Sequence, residues 1–466
     1  MHAKDAINRQ ATHSQSMRAF MAVLREAGEL VSIPQSVRLD YEVAGCLAQI
    51  DGGAALHFAN VAGASGPAPM PIVGNLLNSL PRFASGLGIA VEEMQACLLA
   101  AIDRPLPHRL VSSAPCQEAI IPDPSLADEL PIPRFFEKEG GPYITAGAIV
   151  ARDRLSGHTN LSIARLMPLG GNRAFVGIAP NHHLSVLARA AHARGEKLDI
   201  AVCVGNHPAV LVAACLYLGL GEDELPIAGA LLGEPLEVVP CASGLLVPAH
   251  CECVLEGTLD AGEPFMEGPV SEFHGMYEDY GAGIVATFSR LTRRHDAIFQ
   301  VILPGYHPEH CLLGGVAIAA GLLRAIRPAV PSVHRVAVGV GGAGRLHAVV
   351  ALRAPRPGEA RKAMFAVWAA VNLIKQVTIV DDDIDPWDSI AVEWAQATRS
   401  KPERDLVIVP GVRADRSEPL ERDGTIGKLG IDATRKPADR PDWDLAQPPQ
   451  PALARAQEIL RENRLL

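Results

Sequence analysis

Residues 245–259, LLVPAHCECVLEGTL, and residues 283–294, GIVATFSRLTRR, decide the fold class. Apolar and polar residues alternate through much of both stretches, the pattern of half-buried β-strands. Further β-rich runs surround them: YITAGAIVARD (143–153), AFVGIAP (174–180), LDIAVCVG (198–205), LEVVP (236–240) and AIFQVILPG (297–305). Two helical patterns interrupt the series, HHLSVLARAAHARG (182–195), with Gly195 after its last turn, and PAVLVAACLYLG (208–219). Strands separated by turns at this spacing predict a barrel or sandwich core over residues 111–310.

Outward from this core the character changes on both sides. Residues 1–110 predict a small α/β domain. An amphipathic helix over 14–30 ends at Gly28, helical patterns flank the strand LHFANVAG (56–63), and residues 69–89 read as a strand running into a helix. Residues 311–466 return to α/β. Helices are predicted over 311–327 and 358–376, and strands over 333–340, 345–352 and 377–385, the last ending in the acidic run Asp381, Asp382, Asp383 and Asp385. A tail rich in Pro and Asp leads to PALARAQEILRENRLL (451–466), an amphipathic helix expected to dock on another surface, as in a homodimer or higher homo-oligomer.

The 466 residues are 48% hydrophobic and 20% charged, a globular composition. A net charge of −10 lacks the basic face that nucleic-acid binding needs. The first thirty residues carry charges every few positions, so no signal peptide is expected, and no apolar run reads as a membrane span. Nine cysteines, an odd number without a CxxC, suit a reducing, cytoplasmic compartment. Cys251 and Cys253, two apart, are expected on one face of a strand. Gly339, Gly341 and Gly344 form G-x-G-x-x-G after a strand. A dinucleotide site requires that motif to open a helix, and here RLHAVVAL follows, so a glycine-rich hairpin is predicted instead.

Several segments carry candidate chemistry. Glu267 and Glu272 lie in EGPVSEFHG (267–275), where Gly268, Pro269 and Gly275 make the backbone irregular. Two neighbouring carboxylates can titrate apart and supply an acid and a base, or they are simply solvated in a turn. Arg165, in TNLSIARLM (159–167), either faces solvent or, if buried, must be paired, and could then clamp a carboxylate or tune a glutamate. In PNHH (180–183), His182 or His183 is a possible metal ligand at a helix start. With Asn160 and Glu224, one histidine gives a mixed N/O set that suits Mg2+ or Mn2+ better than Zn2+, although Glu224 also reads as a helix-terminus charge. The acidic run at 381–385 reads as a strand-end turn or a metal site.

These pieces, taken in order, resemble the UbiD family of prenylated-flavin decarboxylases. The resemblance rests on TNLSIAR (159–165), PNHH (180–183), DELPIAGALLGEP (223–235), EGPVSEFHG (267–275), LPGYHPEH (303–310), TIVDDDID (378–385), EWAQATRSKPERD (393–405) and GKLGIDAT (427–434). It implies an α+β multidomain fold: an N-terminal α/β domain (1–110), a central split β-barrel that binds prenylated FMN (111–310), and a C-terminal α/β oligomerisation domain (311–466). It further implies that Asn160, His182 and Glu224 hold Mn2+ or Mg2+ against the cofactor phosphate, that Ser162, Ile163, Ala164 and Arg165 lie along the flavin, and that Asn181, Cys215 and Leu216 line the cofactor. Lys375 would face the phosphate, and K+ would sit near Leu161 and the backbone of residues 214–216. Arg165, Glu267 and Glu272 match the catalytic trio. One departure is local: the family's common EGPFGE carries Val270 and Ser271 here.

The activity so implied is reversible, non-oxidative removal of CO2 from an α,β-unsaturated or (hetero)aromatic carboxylic acid. The flavin bonds covalently to the substrate, and Glu272 returns a proton in place of the carboxylate. No side chain offers the electron sink that decarboxylation needs, so a cofactor must. A flavin prenyltransferase would supply it. The alternatives are a plain FMN oxidoreductase on a split barrel and an accessory subunit of a carboxylase complex.

Overall fold

A computed structural model describes residues 15–64, 66–440, 442–443 and 445–463. The first fourteen residues of the segment read for a signal peptide, Ser14 of the first predicted helix, and residues 464–466 of the last lie outside the described residues.

The central sheet has eight strands. Its path runs Thr159–Ile163, Ala148–Arg152, Leu198–Val204, Cys253–Met266, Ala282–Arg293, Arg173–Gly177 and Arg165–Gly170, with Ala119–Pro122 branching from Ala282–Arg293. The two ends of that path are consecutive in sequence, separated by Ala164 alone. The sheet therefore curls back on itself as a split barrel, and its seam falls at Ile163–Arg165. Ala148–Arg152 and Leu198–Val204 are covered on both faces and are nearly continuously apolar, whereas the longer Cys253–Met266 and Ala282–Arg293 keep their alternation. Along Cys253–Met266, Cys253, Leu255 and Leu259 join one buried cluster, while Val254 joins the other.

Residues 245–259 do not form one strand. Leu246–Pro248 pairs with Glu237–Pro240 in a separate three-stranded sheet that also takes in Arg109–Leu110. The chain then bends through Cys251 and Glu252 before Cys253 opens the barrel strand. The bend puts Cys251 and Cys253 into different cores, so the expectation of a shared face fails.

The N-terminal sheet holds Leu30–Arg38, a strand where the sequence pattern reads as helical, beside Ala55–Gly63 and Ile72–Gly74. Pro34 broke that pattern. It is accommodated because the strand is at the sheet edge and the register shifts between Ile33 and Ser36. The sheet is completed by Phe299–Gln300, so part of the run read with the barrel returns to the N-terminal layer, parallel to Ile72–Gly74.

The C-terminal sheet orders Val333–Ala337, His347–Leu352, Gln376–Asp381, Thr425–Asp432 and Leu406–Arg413. Val333–Ala337 and His347–Leu352 pair antiparallel, and the glycine motif between them opens no α-helix. Helix Pro308–Ile326 joins this domain to the barrel. Leu312, Leu313 and Val316 enter the core shared with the barrel, and Ile318, Leu322 and Leu323 that of the C-terminal sheet. Each such side chain contributes about 1.5–3 kcal/mol when fully buried. Contrary to the sequence reading, this helix is long and apolar enough to cross a membrane. With 78% of its apolar window buried, it is accounted for as a core helix.

Candidate active site

The barrel seam opens onto a cavity of about 470 Å³ between the strand Thr159–Ile163, helix Pro308–Ile326 and the C-terminal domain. Asn160, Ser162, Ile163, Asn181, His182, Cys215, Leu216, Glu224 and Glu272 of the sequence-derived set line it. Ala164, Arg165, Glu267 and Lys375 are not in its wall.

At one end, the strand Thr159–Ile163 buries Asn160, Leu161 and Ser162 in succession. Glu224 starts helix Glu224–Leu232, whose N-cap is Asp223, and is itself buried. The Asn160 amide donates to Glu224 Oε1 at 3.2 Å, the Leu161 N–H to Oε2 at 2.8 Å, and the Ser162 hydroxyl to Asn160 Oδ1 at 3.3 Å. No cation approaches Glu224 among the described residues, and burial pushes its pKa up to about 8. His182 caps helix His183–His192, its Nδ1 accepting from the Leu184 N–H at 3.3 Å. Burial, aided by His183, lowers its pKa to about 4, so the ring is neutral. A buried carboxylate lacking a counter-charge, an amide oxygen and a neutral imidazole fit a hard divalent cation. Coordination through Nε2 would place the ring proton on Nδ1 and displace the 3.3 Å cap bond.

At the other end stands Arg165, the first residue of Arg165–Gly170. Its cross-strand partner is Gly177, where a Cβ would lie 2.7 Å from the guanidinium carbon. The bare glycine lets the guanidinium lie against the neighbouring strand. Arg165 Nε and Nη2 donate to Glu267 Oε1 and Oε2, both at 2.6 Å, and Nη1 is 3.7 Å from Glu272 Oε1. Burial opposes the charge on Arg165, but the bonds to Glu267 outweigh it and hold the pKa above its ordinary value. Gly268, at φ +81°, turns the chain between the glutamates. Of the alternatives left open by the sequence, solvated glutamates and a solvent-facing arginine are thus excluded.

Lys375 stands outside its expected place. Helix Glu359–Ala370 ends before it, and its Nζ pairs with buried Glu418 at 2.8 Å, while Leu373 lines the cavity instead. Helix Pro208–Ala214 stops at Cys215, so Cys215 to Leu218 turn into the cavity wall rather than continuing the predicted helix. Burial raises the Cys215 thiol to about 12, which makes it inert. The acidic run is structural: buried Arg399 binds Asp381 and Asp383.

Sequence reasoning missed Arg345, Tyr143 and Tyr280. Arg345 lines the cavity, has no acidic partner within ion-pair range among the described residues, and lies 5.2 Å from the Phe273 ring centroid. Its signal was the dismissed glycine motif. Gly344, at φ +66°, seats its backbone against the Cys311 carbonyl, and bare Gly314 leaves room for the guanidinium. Buried Tyr143 and half-buried Tyr280 stand beside the trio, with Arg165 5.8 Å from the Tyr280 ring. They sit in apolar or loop contexts that gave no pattern.

Profiles of the 3-octaprenyl-4-hydroxybenzoate carboxy-lyase family match the chain in order: the N-terminal domain over residues 21–101, the Rift-related domain over 109–307 and the C-terminal domain over 311–433. An anhydromevalonate phosphate decarboxylase of Methanosarcina mazei is 35% identical, covering 93% of this chain and 99% of the relative. The structure of HmfF, a UbiD-class enzyme from Pelotomaculum thermopropionicum, in complex with FMN superposes with a TM-score of 0.88 at 38% identity, covering 94% of this chain and 98% of that one. An evolved dimeric form of HmfF with prenylated FMN gives a TM-score of 0.85 at 36% identity, covering 93% and 97%.

Proposed function

The chain belongs to the UbiD family and is a carboxy-lyase, and from that premise we propose that it reversibly decarboxylates an α,β-unsaturated or (hetero)aromatic carboxylic acid with prenylated FMN. The observation that carries this is the pairing of Arg165 with Glu267 beside Glu272, at the edge of a cavity large enough for a flavin ligand. When bound, a prenylated flavin would supply the electron sink that no side chain offers.

The chain's own residues do the rest. Arg165 and Glu267 hold each other in a fixed, charge-balanced geometry. That leaves Glu272, 3.7 Å from Arg165 and on the cavity wall, to deliver the proton that replaces the carboxylate. Arg345 brings a positive charge for the anionic acid, and its fork geometry suits a carboxylate. Asn160, His182 and Glu224 would hold Mn2+ or Mg2+ beside the cofactor phosphate, and the backbone near Leu161 and residues 214–216 would take K+. The free state of all nine cysteines supports a cytoplasmic location. Helix Gln450–Glu462, none of whose residues is buried, supports a homo-oligomer.

The test is co-expression with a flavin prenyltransferase, followed by the mass of the released cofactor and CO2 release from a panel of unsaturated and aromatic acids. Prenylated FMN with turnover is the expected result. Plain FMN with reductase activity would make the protein an oxidoreductase. No flavin, with Mn2+ and K+ supplied, would favour an accessory subunit.

A further inference from the structure

The loop from Glu267 to Tyr277 carries two of the catalytic trio, and its own hydrogen bonds fold it on itself without anchoring it: the short ladder of Val270–Ser271 against Tyr277–Glu278, Glu272 N–H to the Met276 carbonyl, Gly275 N–H to the Glu272 carbonyl, Phe273 N–H to Glu272 Oε2 at 3.4 Å and Met276 N–H to His274 Nδ1 at 3.3 Å. Such a loop holds a proton donor in place only if something outside it does the holding. The segment 134–141 is packed along it. Glu139 is 2% exposed and has no cationic side chain within ion-pair range among the described residues. Its Oε1 accepts the Ser271 hydroxyl at 2.6 Å and the Ser271 N–H at 3.3 Å, and its Oε2 accepts the Phe136 N–H at 3.2 Å. Ser271 is the residue immediately before Glu272.

The neighbouring residues reinforce the grip. A Cβ at Gly140 would lie 2.6 Å from the Glu267 carbonyl oxygen, so that approach is open to glycine alone. The Lys138 N–H donates to the Tyr277 hydroxyl at 3.3 Å. Arg134 fixes the segment in turn, its Nη2 donating to the Glu139 carbonyl at 2.6 Å. Residues 138–140 thus touch the loop at its start, beside its proton donor and at its end. A buried carboxylate whose partners are all neutral, two bonds from Ser271 and one from the Phe136 N–H, is a costly arrangement for packing alone.

We propose that Glu139 is a positioning residue for the reaction: through Ser271 it fixes the loop that carries Glu267 and aims Glu272 into the cavity. The kinetic consequence rests on the decarboxylase function proposed above, whereas the structural consequence does not.

The experiment compares flavin-loaded wild type with Glu139→Ala, Ser271→Ala, the double variant and Glu139→Gln. A proton donor displaced by about 1 Å costs on the order of 100-fold in rate. Glu139→Ala is therefore expected to lower kcat about 10- to 100-fold while KM and flavin occupancy hold. Ser271→Ala, which keeps its N–H bond, falls less, and the double variant is no slower than Glu139→Ala, because the two residues act as one unit. Glu139→Gln recovers part of the loss, since its amide oxygen keeps both bonds to Ser271. Amide hydrogen exchange over residues 267–276 should quicken in Glu139→Ala and recover in Glu139→Gln. Unchanged exchange in that segment, or strictly additive losses in kcat, would overturn the proposal. If wild type turns over no acid, the decarboxylase function fails, and the exchange measurement still decides the positioning role.

Discussion

The two ends of the cavity treat charge in opposite ways. Around Arg165 the protein balances its own: Glu267 accepts two short bonds from the guanidinium and Glu272 stands nearby. Around Glu224 it does not: the carboxylate is buried against an amide and one backbone N–H, and its pKa climbs to about 8. A self-balanced end can be ready before any ligand arrives. On the proposed function, an unbalanced end would be completed by a cation, and a metal-bound phosphate would be selected there.

The comparison breaks most visibly at the balanced end. Glu272→Gln should cost about 10²- to 10⁴-fold in kcat, the usual worth of a general acid, with flavin content unchanged. Full activity in that variant would move the proton donor elsewhere. At the unbalanced end, Glu224→Gln should weaken Mn2+ binding at least about 10- to 100-fold, more than the loss of an outer-sphere partner, and flavin occupancy should fall with it. The pH dependence of the wild type sharpens the contrast. Below about pH 8 the Glu224 carboxyl holds a proton in the metal-free protein, and Mn2+ must displace it. Affinity measured by calorimetry should therefore rise about tenfold per pH unit up to that point and level off above it. His182, neutral down to about pH 4, adds nothing to that slope near neutrality. An affinity flat between pH 6 and pH 8, both about, would show that Glu224 is not the titrating ligand.

Between the two ends, Arg345 has an uncompensated charge and no place in the trio. Arg345→Ala should raise KM for the acid about 10- to 100-fold, as loss of a charge-assisted bond worth about 1.5–3 kcal/mol implies, with a smaller change in kcat. A pure kcat effect would instead place Arg345 in the chemical step.

Much of this contrast was legible in the sequence. Asn160, Glu224, Arg165, Glu267 and Glu272 lie in ordered motifs, and the structure brings them together along one seam. What escaped has local causes. Lys375, whose place the resemblance implied, lies beyond a helix that ends six residues earlier than its pattern reads, at Ala370. Arg345 and Glu139 are presented by turns whose meaning depends on glycines packed against distant backbone, at Cys311 and Glu267, and no local pattern encodes such contacts. Cys251 and Cys253 have strand spacing but are divided by a bend. The departure at Val270 and Ser271 acquires a physical sense only in three dimensions: Val270 is buried and Ser271 meets Glu139.

The acidic run at 381–385 supplies the smallest effect and a control for the metal end. Its carboxylates resemble Glu224 in sequence, crowded and next to an apolar strand, but their partners differ. Arg399, almost fully buried, takes Asp381 at 3.3 Å and both oxygens of Asp383 at 3.0 and 2.8 Å, and it also lies 5.0 Å from the Trp394 ring. Asp382 faces outward to Arg353, which is 62% exposed. Exposed pairs of this kind are worth about 0.2–1 kcal/mol. Asp382→Asn should therefore lower the free energy of unfolding, measured by denaturant titration, by no more than about 1 kcal/mol and leave Mn2+ stoichiometry and flavin content at wild-type values. A lost equivalent of metal in Asp382→Asn would mean that a carboxylate already paired with arginine can still recruit a cation, and the distinction between balanced and unbalanced ends would no longer predict where metal goes.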